Sequence, residues 1–120
     1  MKVAIVGSRS LDIEIPEGII PENTTEIISG AAKGIDKAAR SYALNHRILI
    51  TEILPEYNLY GKQAPLRRND YIIELCDAVY AFWDGKSKGT YYVINQSRRH
   101  GKSVYVYVWD GESFKLCPEA

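Results

Sequence analysis

Five short apolar runs, "KVAIVG" (2–7), "EIISG" (26–30), "RILITEI" (47–53), "DAVYAFW" (77–83) and "SVYVYVW" (103–109), carry little of the in-out polar alternation of a half-exposed strand. A strand reads this way when both its faces are covered, as in a parallel sheet packed between helices. The segments between three of them have helical period. "GIDKAARSYALNH" places Ile35, Ala38, Ala39, Tyr42 and Ala43 on one face, "LRRNDYIIELC" does the same with Leu66, Tyr71, Ile72 and Leu75, and "GTYYVINQSRRHG" ends on a glycine stop. Strands alternating with helices predict an α/β fold with a wound, mostly parallel sheet of about five strands. The first connection breaks the rhythm. Pro16 and Pro21 in "LDIEIPEGIIPENTT" leave no room for a long helix, so that crossover helix is expected to be shortened or absent. The tail "DGESFKLCPEA" is expected to add a short extended segment or to fray.

The 120 residues suit one domain, 1–120, and therefore one main site. Lys and Arg together number 15, as do Asp and Glu, so no global field recruits nucleic acid or an acidic membrane, and an anion must be caught locally. The apolar run at the N-terminus stops at Gly7, too short for a signal-peptide core or a membrane span, and a cytoplasmic location is expected. Cys76 and Cys117 lie far apart without metal-ligand spacing and read as reduced structural residues; no metal site and no cofactor are expected. His46 and His100 fall near helix C-termini, where a partly charged imidazole is favourable, so neither is a catalytic candidate.

In an open parallel sheet, ligands bind beyond the carboxyl ends of the strands. Three loops with special backbone chemistry lie there: "GSRS" after the first run, "SGAAKGID" after the second and "DGKSKGT" after the fourth. Each supplies glycine or small residues that let a ligand approach the backbone, and two lead into helices whose free N–H groups favour an anion. Each also has a purely structural reading: Gly7 as a turn and Arg9 as a solvated charge, Asp36 as a first-turn complement to the helix dipole, Thr90 as a helix cap and Trp83 as core. The anion reading of "DGKSKGT" uses the Ser87 and Thr90 hydroxyls with Lys86 or Lys88, without a Walker pattern. In "YNLYGKQAPLRRND" an aromatic can flank a base while Arg67 or Arg68 pairs with a phosphate.

Four ordered motifs, "GSR" (7–9), "ISGAAKGID" (28–36), "YGKQAPLRRN" (60–69) and "AFWDGKSKGT" (81–90), together resemble the SLOG superfamily, the Rossmann-like group named for DprA/Smf and the LOG phosphoribohydrolases. The likeness covers nearly the whole chain and is to the YspA/YpsA-related branch of small bacterial proteins. It implies a Rossmann-like three-layer sandwich that binds a nucleotide or nucleotide-derived ligand, as a sensor without an assigned reaction. The candidate binding residues are Gly7, Ser8 and Arg9 for one wall, Ser29, Gly30 and Gly34 for the floor, Arg68 and Asn69 for a polar clamp, Gly85, Ser87, Gly89 and Thr90 for phosphate, and Trp83 beside them. Asp36 and Asp84 are the candidates for ribose contact or acid–base work.

The chain departs from the branch at Ala31, where a second glycine is common, and in lacking a first crossover helix, which leaves that side open to solvent or to another copy in a homo-oligomer. LOG enzymes carry the loop PGGxGTxxE, whose glutamate is implicated in cleaving the N-glycosidic bond. Val93 stands at that glutamate's place, and Asp36, Asp84 and Glu74 are the carboxylates available to replace it. An N-glycosidic hydrolase acting on a nucleotide or NAD-like molecule is thus the alternative function. A single-stranded nucleic-acid module, implied by the DprA likeness, is disfavoured by the balanced charge.

Overall fold

The computed structural model describes residues 1–117. The five apolar runs form β1 (Lys2–Gly7), β2 (Glu26–Ser29), β3 (Leu49–Glu52), β4 (Ala78–Trp83) and β5 (Ser103–Trp109). All five are parallel, with β1 at the centre between β2 and β4, and the order across the sheet is β3-β2-β1-β4-β5-β6. The sixth strand, β6 (Phe114–Leu116), corrects the expected count. It folds back antiparallel on β5, where Phe114 pairs with Trp109 and Leu116 with Tyr107, so this part of the tail covers an edge, residues 118–120 lying outside the described residues.

Strand alternation sorts the apolar side chains into two cores. Val3 and Ile5 of β1, Ile27 of β2, and Tyr80 and Phe82 of β4 meet Ile35, Ala39, Tyr42 and Ala43 of α1 (Ile35–Asn45) on one face. Ala4, Val6, Ile28, Val79 and Ala81 meet Ile72 and Ile73 of α3 (Ala64–Leu75) and Val93 and Ile94 of α4 (Lys88–Arg99) on the other. Helices on both faces are the physical reason why the central strands have no polar side. A single turn, α2 (Tyr57–Tyr60), and a 3-10 turn (Gly61–Gln63) lead into α3.

No helix forms between β1 and β2, as the two prolines imply. That connection is held by burial of Leu11, Ile15 and Ile20 in the α1-side core, and by a hydrogen bond from Thr25 N–H to the Met1 carbonyl at 2.9 Å. Its middle is tied to α1, where His46 Nε2 lies 2.8 Å from Glu17 Oε1. The Glu17 carboxylate, together with the Tyr42 carbonyl at Nδ1, raises the His46 pKa.

Two glycines set how closely the elements approach. A Cβ on Gly7 would collide with the Phe82 carbonyl and the Ile35 side chain. Gly34, at φ 73°, has the Ser8 and Arg9 carbonyl oxygens 2.6 Å from where its Cβ would stand. Glycine at both positions brings α1 against the ends of β1 and β4, and Ile35 N–H then donates to the Ser8 carbonyl at 3.3 Å. No helix among the described residues is long and apolar enough to cross a membrane.

Candidate ligand site at the β1–β4 crevice

From β1 the chain winds to β2 and β3 on one side, then returns to place β4 on the other. Loops leaving β1 and β4 therefore diverge, and a crevice opens beyond their carboxyl ends. A cavity of about 440 Å³ occupies it. Ser8–Ser10 wall it from β1, Gly30 and Ala32 from β2, Asp84 and Ser87 from β4, and Gly89 and Thr90 from the first turn of α4. Arg68, Asn69 and Ile72 close it from α3. The size is that of an ordinary small-molecule site.

The β4 loop is organised by Asp84. Its Oδ1 accepts the N–H groups of Lys86 and Ser87 and the Ser87 hydroxyl, each at 2.8 Å, and its Oδ2 accepts the Ser10 hydroxyl at 2.7 Å. Asp84 N–H donates to Ser8 Oγ at 3.0 Å, and the Ser8 and Ser87 hydroxyls lie 2.9 Å apart. Partial burial pushes the Asp84 pKa up, but the hydrogen bonds from Ser10, Ser87 and Lys86 outweigh it and hold the carboxyl far below the ordinary range. Asp84 is thus a fixed anion that closes its own loop, and acid–base exchange near neutral pH does not suit it.

This narrows the donors that "DGKSKGT" can offer a ligand. Two of the loop's N–H groups and the Ser87 hydroxyl are taken by Asp84, leaving the first turn of α4 itself. That helix starts at Lys88 with Ser87 in the cap position, so Thr90 lies inside the first turn and does not cap it. The first N–H groups of a helix have no partner within it. Thr90 is 5% exposed, lines the cavity and makes no side-chain hydrogen bond among the described residues. Its neighbour Gly89 has open space where a Cβ would stand.

The opposite wall is built on Arg68 and Asp36. Arg68 reaches from α3 under the ends of β2 and β3: Nη1 donates to the Gly30 carbonyl at 2.6 Å and the Ile53 carbonyl at 3.2 Å, and Nε to Asn69 Oδ1 at 2.9 Å. Burial lowers its pKa, yet a guanidinium stays charged at neutral pH. Asp36 is 8% exposed; one oxygen accepts Ala32 N–H at 3.2 Å. Burial raises its pKa against the opposing pull of that hydrogen bond, of the Arg68 and Arg9 charges and of the nearby Ser29 hydroxyl. Ser29 Oγ itself is fully buried and has no partner of hydrogen-bonding geometry. The first turn of α1 therefore turns its carboxylate inward, to the cavity, instead of leaving it solvated at the helix end.

Eleven of the fifteen candidate residues line the cavity: Gly7, Ser8, Arg9, Gly30, Asp36, Arg68, Asn69, Asp84, Ser87, Gly89 and Thr90. Ser29, Gly34, Trp83 and Gly85 do not. Ser29 lies beneath the floor, and Gly34 is used in packing α1 against the β1 loop. Trp83 braces the loop from behind, its Nε1 donating to the Ser87 carbonyl at 3.0 Å and its ring stacked on Tyr91. The sequence reading missed Ser10, which orients Asp84, and the apolar wall of Val6, Pro65, Leu66, Ile72 and Val93. Helical spacing marks Ile72 and Val93 only as core, and burial at a cavity leaves the same signal. Val93 does line the cavity, whereas Glu74 is exposed and lies outside it. Among the described residues no group of three or more His, Cys, Asp or Glu side chains is placed to hold a metal ion.

Comparison of the chain with protein-family models, with curated proteins and with solved structures gives no match.

Proposed function

We propose that the chain is a Rossmann-like, SLOG-type sandwich that binds a nucleotide or nucleotide-derived small molecule in the β1–β4 crevice. The observation that carries the reading is the placement of Thr90. Thr90, a residue only 5% exposed whose hydroxyl has no partner among the described residues, lines the cavity at the first turn of α4, opposite the Arg68 guanidinium. A phosphate there gains hydrogen bonds, the dipole of α4 and a cation across the cavity. The apolar wall of Leu66, Ile72 and Val93 suits the uncharged part of such a ligand, a base or a sugar edge. Thermal unfolding across mononucleotides, dinucleotides, ADP-ribose and cyclic nucleotides tests this. A ligand at a hundred times its dissociation constant adds about 2.7 kcal/mol to stability. Absence of any shift at millimolar concentration contradicts the reading.

A second reading rests on Asp36. A buried carboxyl with a raised pKa, in a cavity and beside an arginine, has the properties of a general acid. Water adding to the anomeric carbon of a bound nucleotide would expel the base as the C–N bond breaks; Asp36 would supply the base's proton, and the proton shed by the water would return to the Asp36 carboxylate. Chromatography of free base after incubation with AMP decides between binding and hydrolysis. Release abolished by Asp36→Asn establishes the hydrolase, and no release leaves the chain a binder.

A further inference from the structure

The turn between β2 and α1 opens a second hollow, of about 350 Å³, beside the main cavity. Arg9, Lys33 and Arg68 line it with Ala31, Leu54 and Pro55, and no carboxylate is among its lining residues. Three cations thus meet in a chain whose charges otherwise balance. Arg9 and Arg68 stand close enough for their charges to repel. Arg9 and Lys33 make no side-chain hydrogen bond or ion pair among the described residues. Arg68, 9% exposed, uses Nη1 and Nε for its carbonyl and Asn69 bonds, and Nη2 has no partner among them. The carboxylate that both arginines feel is Asp36, whose ionised form is opposed by burial, so it neutralises one charge at most.

The backbone supplies an independent sign. Ala31, on the wall of this hollow, holds φ at 60°, a left-handed conformation that a residue with a Cβ avoids. Strain of this kind persists where surrounding structure over-determines it, and it clusters at ligand sites.

We propose that this hollow is a second anion subsite, taking a phosphate group, adjacent to the one at the first turn of α4. It rests on the reading of the main cavity as the site of a phosphate-bearing ligand. An oxyanion between Arg9, Lys33 and Arg68 relieves their mutual repulsion and meets the unpaired Arg9 guanidinium and the free Nη2 of Arg68. Arg9 and Arg68 line both cavities, so the two subsites are neighbours along one groove.

The test is a titration of the full chain with inorganic phosphate, followed by amide resonances at constant ionic strength up to about 50 mM, which separates specific binding from screening. Two sets of amides should shift, 31–33 and 88–90. Lys33→Glu, at an exposed position that lines only the second hollow, should weaken the first set's response by more than about tenfold and leave the second set's response intact. Shifts confined to 88–90 overturn the second subsite while the nucleotide reading stands. Shifts confined to 31–33 that Lys33→Glu abolishes sustain it and remove phosphate from the α4 turn. A response at 31–33 unchanged in Lys33→Glu, or none at either set, overturns it. Titration with adenosine 3′,5′-bisphosphate then assigns the source. One midpoint for both sets places both phosphates on one ligand, and two midpoints make the second anion a separate phosphate; either outcome keeps the subsite.

Discussion

Two aspartates wall the same cavity with opposite titration behaviour, and their difference is a matter of donors. Asp84 accepts four hydrogen bonds, so its folded pKa is depressed. Its contribution to stability is present above the unfolded value of about 3.9 and is lost as pH falls below that value. Asp84→Asn should therefore lower stability by about 1 kcal/mol at neutral pH, the scale of the difference between hydrogen bonds to a charged and to a neutral acceptor. Urea unfolding at a series of pH values should show the gap to wild type closing in acid. Asp36 is buried with one backbone donor, and its folded pKa is raised. The folded chain then holds that proton more tightly than the unfolded one, and stability falls as pH rises from about 3.9 through the folded pKa. Asp36→Asn removes this loss, so its stability relative to wild type should improve between acid and neutral pH. A relative stability that does not change with pH would show that Asp36 is ionised as readily in the fold as in water.

At the scale of elements, α4 carries a conflict between stability and binding. Gly89 occupies its first turn although a Cβ there would meet nothing. Gly89→Ala should stabilise the free protein by about 0.5–1 kcal/mol, the ordinary gain of alanine over glycine in a helix. It also adds a methyl at a position on the cavity wall, so the same variant should bind a phosphorylated ligand more weakly; unfolding and affinity measured on one sample check both. Gly7→Ala has the opposite logic. Its Cβ would meet the Phe82 carbonyl and Ile35, so the joint between β1, β4 and α1 must spread, at a loss of about 1–3 kcal/mol. On the other side of the sheet, the Glu17 carboxylate raises the His46 pKa and ties the first crossover to the end of α1. This tie is fully present below about pH 6.5 and is lost as pH rises through the folded His46 pKa. A proton-resonance titration should find His46 above the ordinary histidine value, and Glu17→Gln should bring it down.

Over the whole molecule, the sheet was legible because burial on two faces leaves a signal in every residue of a strand: Val3 to Val6 and Ala78 to Phe82 are buried without interruption. The prolines of the first crossover spoke for themselves. β6 was only half legible, since three residues, Phe114–Leu116, hold their place through pairing with β5 and have no period of their own. The loops at the strand ends meet around one cavity, because glycines and small residues cluster where chains must come close. What each loop does with its donors was hidden. Nothing in "DGKSKGT" tells whether Asp84 caps its own turn or leaves those N–H groups open, for that depends on Ser8 and Ser10, more than seventy positions away. The central claim is that the first turn of α4 receives a phosphate in the β1–β4 crevice, and Thr90 is its most direct probe. The measurement is the dissociation constant of the nucleotide that stabilises the chain most, and of its matched nucleoside, on folded wild type and Thr90→Ala. The account predicts that the variant weakens the nucleotide by more than tenfold, about 1.4 kcal/mol, and leaves the nucleoside nearly unchanged. Equal weakening of both, or weakening of neither, would contradict it.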